Sequence, residues 1–368
     1  MNADLLHQIA LTLIKNIGAV QAKILLDHYE NAAAIFGARM SDLEKIEGIG
    51  TVRAKSIKHF KDYTRAEEEI IFIEKYQISP LFITDKKYPQ RLLNCYDPPT
   101  LLYYKGSADL NASKIVSVVG TRSYTSYGKQ FTENLIHELS EIQILIVSGL
   151  AYGIDTIAHK SAIKNELPTI GVVGHGLDII YPYENKNLAK EMVNQNGGIL
   201  TQFTSKTKPD KHHFPIRNRI VAGLADATVI IETSVKGGSM ITAEMANGYN
   251  RDVFAVPGRV TDAYSAGTNY LIANNKAILL THAQQLIELM GWEEKKKIKI
   301  KKQRELFLNL TTEEKIIINI LNEKDNVHID EINIKSGIHS SSVAAAILNL
   351  EFQNVIKSLP GKMYALYD

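Results

Sequence analysis

The sequence predicts an α/β protein: a doubly wound parallel sheet between an N-terminal helical domain and a small C-terminal domain of three helices and a hairpin. Three observations carry this expectation. Short apolar runs alternate with helix-like stretches between residues 80 and 290. Helical periodicity without strand runs fills residues 1–76, and residues 307–368 read as helix, helix, glycine, helix, hairpin. A chain of 368 residues suits two or three domains, and 45% hydrophobic with 22% charged residues suits packed cores rather than disorder. The net charge of +2 neither demands nor forbids an anionic partner, so local clusters must decide.

The helical segment contains two glycine turns, Ile17-Gly18-Ala19-Val20 and Gly48-Ile49-Gly50. The second sits in Leu43-x-x-Ile46-x-Gly48-Ile49-Gly50-x-x-x-Ala54-x-x-Ile57, which resembles a helix-hairpin-helix motif. Such a hairpin lets backbone N–H groups approach a phosphate; the same pattern also fits a helical pair that only packs on its neighbour. Six strands are expected at 114–119, 142–147, 169–173, 227–231, 252–256 and 277–280. Residues 291–306, with Lys295, Lys296, Lys297, Lys299, Lys301, Lys302 and Arg304, read as a solvated basic linker that would also graze a polyanion. Helices at 311–322, 330–336 and 340–352, then a hairpin around Pro360-Gly361-Lys362, resemble a winged helix. The scarcity of basic residues on its third helix favours a protein-binding or regulatory role over DNA reading.

No run of about 18 uncharged apolar residues occurs, and Asp4, His7 and Lys15 interrupt the N-terminus where a signal peptide needs an apolar core. A chain that neither spans a membrane nor is exported is expected. The single cysteine, Cys95, can form neither an intrachain disulfide nor a cysteine-based zinc site, which suits a reducing cytoplasm and a metal-free fold.

Glycines cluster where the expected strands end: Gly120-Thr121-Arg122, Gly149-Leu150-Ala151-Tyr152-Gly153, Gly174-His175-Gly176, Gly237-Gly238-Ser239 and Pro257-Gly258-Arg259. A parallel sheet brings these loops to one carboxyl edge, beside helix N-termini that favour anions. Arg122 can pair with a phosphate through two parallel N–H groups. Nucleotide, dinucleotide and nucleic-acid strand all fit that spacing. Gly171-x-x-Gly174-x-Gly176 is not the G-x-G-x-x-G fingerprint, which disfavours an NAD enzyme. A second cluster, Lys211-His212-His213-Phe214-Pro215-Ile216-Arg217-Asn218-Arg219, offers cations for a phosphate backbone and a ring for a base. Blandly read, Phe214 is core and the arginines tie loops together; the histidines lack nearby metal partners.

Together these strings, with Tyr88-Pro89, Asp97-Pro98-Pro99 and Val256-Pro257-Gly258, resemble the bacterial DNA-processing family DprA, also called Smf. The resemblance implies a Rossmann-like domain at 80–290, a sterile-alpha-motif-like (SAM-like) helical domain at 1–76 and, beyond a linker at 291–306, a winged-helix domain at 307–368. It implies a homodimer without catalysis or cofactor, which coats incoming single-stranded DNA in natural transformation, protects it and helps load the RecA recombinase. Carried over, Arg122 is a phosphate contact, Phe214 meets a base and Lys211 stands beside it. Arg217 and Arg219 line the same pocket or hold its loops. Gly120, Thr121, Gly149, Asn218, Gly237, Gly238 and Ser239 complete the expected DNA surface.

The rival from another class is a nucleotide-processing enzyme on a lysine-decarboxylase-like scaffold, whose signature resembles P-G-G-x-G-T-x-x-E. Gly237 to Glu244 echoes it incompletely: Lys236 replaces the proline, the third glycine is missing and Glu244 follows Thr242 by two residues, not three. Glu232 is the other carboxylate that such chemistry could use. A sequence-specific regulator would leave the glycine loops unexplained, and a nuclease would need an Asp/Glu cluster that the sequence lacks.

Overall fold

The computed structural model describes residues 3–293 and 310–367. The lysines and arginine of the expected basic linker, 295–304, lie outside the described residues. The chain forms two compact units, Met1–Leu279 and Leu280–Asp368.

The first unit is organised by nine strands: β1 (Ser79–Phe82), β2 (Leu101–Gly106), β3 (Ile115–Val119), β4 (Leu145–Ser148), β5 (Thr169–Val172), β6 (Gly198–Thr201), β7 (Ala227–Ile230), β8 (Asp252–Ala255) and β9 (Ile278–Leu279). Their order is β1-β2-β6-β5-β4-β3-β7-β8-β9. All neighbours from β6 to β9 pair in parallel, while β1 and β2 extend the β6 edge antiparallel. The parallel part starts at β3, winds outward to β6, then crosses back to β7 and winds outward again. That is a doubly wound sheet with its switch point between β3 and β7. Every residue of β3 to β7 is buried, as parallel strands covered on both faces require. The six expected strands correspond to β3, β4, β5, β7, β8 and β9; β1, β2 and β6 are additional. The expected strand at 142–147 begins late, because a 3₁₀ turn at Ser140–Ile142 and left-handed Gln143 (φ 48°) precede β4.

Six helices, Ala3–Leu13, Ala19–His28, Ala32–Gly37, Met40–Lys45, Gly50–Lys58 and Tyr63–Tyr76, form the N-terminal region around Ile9, Leu25, Ile35, Leu43, Ile57 and Ile70. Its two turns share the pattern I-G-x-V-x-A-K: Asn16-Ile17-Gly18-Ala19-Val20-Gln21-Ala22-Lys23 resembles Gly48-Ile49-Gly50-Thr51-Val52-Arg53-Ala54-Lys55. The two turns meet through Arg53, whose Nε donates to the Asn16 carbonyl at 3.2 Å and whose Nη1 donates to that of Gly48 at 3.1 Å.

A buried carboxylate joins this helical region to the sheet. Glu69, 1% exposed, accepts from the Ser205 backbone N–H at 2.9 and 3.0 Å, from the Ser205 hydroxyl at 2.6 Å and from Arg65 at 2.8 Å. Arg65 also donates to the Ser205 carbonyl at 2.6 Å. The loop between β6 and the following helix is thus held from outside the sheet.

The second unit contains the helices Thr312–Asn322, Ile329–Ser336 and Ser340–Phe352 and the strands β10 (Val327–His328), β11 (Ile356–Leu359) and β12 (Met363–Leu366), ordered β10-β12-β11. Ile317, Ile332, Val343, Leu350 and Ile356 form its core. Three helices and a small antiparallel sheet make the winged helix, with β10 as the strand not expected. The helix Ser340–Phe352 carries no basic residue, and its exposed side presents Ala344, Ala345, Leu348 and Phe352. Among the described residues no helix is long and apolar enough to cross a membrane.

Candidate nucleic-acid interface

Four consecutive connections converge at the carboxyl edge. The loop after β3 supplies Arg122, that after β4 Gly149, Ala151 and Tyr152, and that after β5 Gly174, His175, Tyr181 and Pro182; the helix after β6 supplies Phe214 and Arg217. All of them line one pocket. Phe214 and Arg217 belong to the first turns of the helix His213–Leu224, and three-residue spacing puts them on one face. Pro215 sits in the first turn, where its missing N–H interrupts no hydrogen bond.

Arg122 is exposed, and its guanidinium carbon stands 5.5 Å from the centre of the Phe214 ring, within cation–π range. The opposite relation holds for Arg217, which is 6% exposed and whose Nε has no hydrogen-bond partner in the protein. Burial lowers its pKa, Asp155 opposes that and Arg122 adds to it. Two guanidinium groups therefore face the pocket with Asp155 as countercharge. Asp155 is itself buried and spends Oδ2 on the backbone N–H groups of Gly149 at 3.1 Å and Ala151 at 3.4 Å. Burial raises its pKa, and Arg217 pulls it back. A buried, incompletely satisfied guanidinium is costly unless an anion completes it.

Two glycines make this geometry possible. A Cβ at Gly149 would lie 1.4 Å from Arg217 Nη1, so no side chain fits there while Arg217 keeps its position. Gly153 adopts φ 80° and a Cβ there would meet the Thr121 carbonyl oxygen at 2.2 Å. A glycine there lets the loops after β3 and β4 approach this closely.

The far wall is set by His175. Its Nε2 accepts from the Tyr181 backbone N–H at 3.2 Å, so the proton resides on Nδ1, which donates to the Gly176 carbonyl at 2.9 Å. Burial lowers its pKa and keeps this neutral form. The Tyr181 ring so held stacks near Phe214, with centroids 6.2 Å apart and planes at 29°. Tyr181 and Pro182 are pocket residues outside every string read from the sequence, while Tyr152 and His175 stood there only as members of the glycine loops, with no role given to their side chains.

The remaining expected residues divide. Arg219 turns away, pairing with Asp97 at 3.1 Å and donating to Gln202 at 2.6 Å. Asn218 donates to the Gly238 carbonyl at 3.4 Å. Lys211 is exposed two residues before the helix that carries Phe214. Thr121 donates its backbone N–H to the Glu232 carbonyl at 2.7 Å, and a Cβ at Gly120 would meet Ile154 at 2.7 Å. Gly237, Gly238 and Ser239 open the helix after β7 and do not line the pocket. Glu232 is buried and engaged by the Thr125 hydroxyl and, at 2.9 Å, by the Thr125 backbone N–H, while Glu244 is exposed on its helix.

Residues 79–291 match the family model described as DNA recombination-mediator protein A, residues 9–70 a helix-hairpin-helix motif, and residues 308–362 the DprA winged helix domain. A protein named Smf from Synechocystis is 36% identical over 295 residues, covering 78% of this chain and 73% of the relative. The DNA processing protein DprA of Streptococcus pneumoniae is 42% identical over 215 residues, 58% of this chain and 75% of its own length. The X-ray structure of DprA from S. pneumoniae aligns with a TM-score of 0.66 at 33% identity, covering 78% of this chain and 98% of that one. A structure of DNA processing protein A from Helicobacter pylori, described by its single-stranded DNA binding mode, aligns with a TM-score of 0.52 at 35% identity over 57% and 94% of the two chains.

Proposed function

Because the chain belongs to the DNA recombination-mediator protein A family, we propose that it binds single-stranded DNA without reading its sequence. It shields the incoming strand and helps load the RecA recombinase during natural transformation, working as a homodimer in the cytoplasm and without catalysis. The domains proposed for this work are 1–76, 80–290 and 307–368, joined by the linker 291–306. One observation carries the reading: Arg122, Phe214 and the buried Arg217, its Nε unpartnered, converge on a single pocket. Arg122 and Arg217 take phosphates, Phe214 takes a base, Lys211 adds charge at the rim and Gly149 keeps the space open. Arg219 and Asn218 hold the loops. Gly120, Thr121, Gly237, Gly238 and Ser239 shape the edge around them. Phosphate contacts and stacking carry little base information, so any base composition binds.

A nucleotide-processing enzyme would need a carboxylate free to act in the same pocket, whereas Asp155 beside it is committed to Arg217 and to the N–H groups of Gly149 and Ala151. Glu232 instead accepts from the backbone N–H and hydroxyl of Thr125, the residue that caps the helix after β3, and Glu244 stands on the surface.

Fluorescence anisotropy of a labelled oligothymidine against a duplex of equal length, at two salt concentrations, tests the reading. The single strand binds tightly and loses affinity with salt, and the duplex binds weakly. Arg122→Ala weakens single-strand binding and lowers its salt slope by about 0.7. Phe214→Ala costs about 1–3 kcal/mol of binding with the slope unchanged. Wild-type affinity in folded Arg122→Ala refutes the pocket, and hydrolysis of a nucleoside monophosphate by the wild type supports the enzyme.

A further inference from the structure

We propose that the DNA strand leaves the Arg122–Phe214 pocket through a second groove, across the helices that follow β3 and β4, where Lys129 and Lys160 bind its phosphates. This rests on the single-strand reading and adds a tract of binding surface to it. The groove has a volume of about 640 Å³. It is continuous with the pocket, since Arg122 and Tyr152 line both. Lys129 comes from the helix Ser126–Leu139 and Lys160 from the helix Ile154–Lys164, which pack against each other. A strand passing Arg122 therefore meets two further cations along one channel.

The groove also offers aromatic rings. Tyr124 is 46% exposed and Tyr152 is 40% exposed, which costs apolar hydration in the free protein and supplies stacking faces to unpaired bases. The two acids of the groove are already engaged. Glu133 stands 3.9 Å from Lys129 across one helical turn, and Glu184 accepts the Tyr152 hydroxyl at 2.5 Å. An exposed pair of the first kind holds a few tenths of a kcal/mol, so a phosphate can take Lys129 from it. The second contact tethers the Tyr152 ring at the junction of pocket and groove and leaves the phosphates to the lysine side. A different large groove, beside Lys186 and Lys190, shares no residue with the pocket and is lined mainly by aliphatic side chains such as Ile179, Ile180 and Val193.

The test uses the full chain and two labelled oligothymidines, of about 3 and about 20 nucleotides, the shorter just long enough to set one base on Phe214 with its flanking phosphates. The double variant Lys129→Ala, Lys160→Ala binds the shorter strand within about twofold of wild type. It binds the longer one about tenfold more weakly, with a salt slope reduced by about 1.4, the value for two single-strand phosphates. Arg122→Ala weakens both lengths. Unchanged affinity and slope for the longer strand in the lysine variant, while Arg122→Ala still weakens binding, overturns the groove and leaves the pocket standing. Equal losses at both lengths also overturn it, as does a loss in Lys186→Ala, Lys190→Ala instead. An Arg122→Ala protein that binds both lengths like wild type removes pocket and groove together. Unchanged melting temperatures certify that these exposed substitutions leave the fold intact.

Discussion

Two arginines two positions apart have opposite assignments, and the difference is measurable. Arg217 is buried at the pocket with Nε unpartnered, whereas Arg219 is tied to Asp97 and Gln202. Arg217→Met is expected to weaken single-stranded DNA binding at least about tenfold, because it removes a charge already stripped of water. Arg219→Met is expected to cost about 1–3 kcal/mol of stability, leaving Asp97 and Gln202 short of a donor, while the folded fraction keeps its affinity. Anisotropy and chemical denaturation on the same two variants separate the outcomes. The string Phe214-Pro215-Ile216-Arg217-Asn218-Arg219 showed where cations and a ring gather, but not which arginine turns inward. That choice depends on the space above Gly149, which only the packed helix defines. Tyr181, and the part that His175 plays in holding it, were illegible for a related reason: a side chain that accepts from a backbone N–H six residues on, in an irregular loop, has no periodic signature.

Most strands legible in the sequence are buried apolar runs such as Val116-Ser117-Val118-Val119, and β9 was legible by its apolar run although Ile278 and Leu279 are exposed. The three missed in the large sheet lie at its β6 edge. Pro80 argues against a strand at β1, although an edge position tolerates it. β6 has four residues and begins with a glycine; β2 carries an apolar run, Leu101 to Tyr104, of the same kind as that of β3, and it lies ahead of the strand–helix alternation that marks the parallel sheet. At the switch point in the middle of the sheet, the helix Ser126–Leu139 begins beside Arg122. Its start is set by Thr125, whose hydroxyl accepts from the Gly128 N–H at 3.2 Å and donates to Glu232. Thr125→Val removes that cap and leaves buried Glu232 with one donor fewer. A loss of about 1 kcal/mol is expected, read by denaturant titration, together with faster amide exchange in the loop 120–125.

Stability of the whole molecule carries a pH signature from the interior of the wound sheet. His159 is fully buried, its Nδ1 bonded to the Thr169 hydroxyl at 2.7 Å, and burial, helped by Arg217, draws its pKa from 6.5 to about 3. The unfolded chain takes up that proton first as pH falls. The contribution to stability is therefore intact above pH 6.5 and is lost progressively from 6.5 toward 3. Asp155 has the opposite sign, since its raised pKa lets the native state hold a proton more readily in acid. Subtracting the profile of His159→Gln from that of wild type isolates the histidine. The difference is expected to slope by up to about 1.4 kcal/mol per pH unit below 6.5 and to be flat above it. A different long-range dependence follows from the Glu69 junction. The loop it secures carries Lys206, Lys208 and Lys211, and Lys206 is itself paired with Glu68 at 2.7 Å. The helices before residue 77 thus act as scaffolding for a segment well over a hundred residues downstream. A trimmed chain that begins at the sheet would keep its arginine pocket and lose the brace of its lysine rim, so the boundary most convenient for cloning is not a boundary for the work this edge performs.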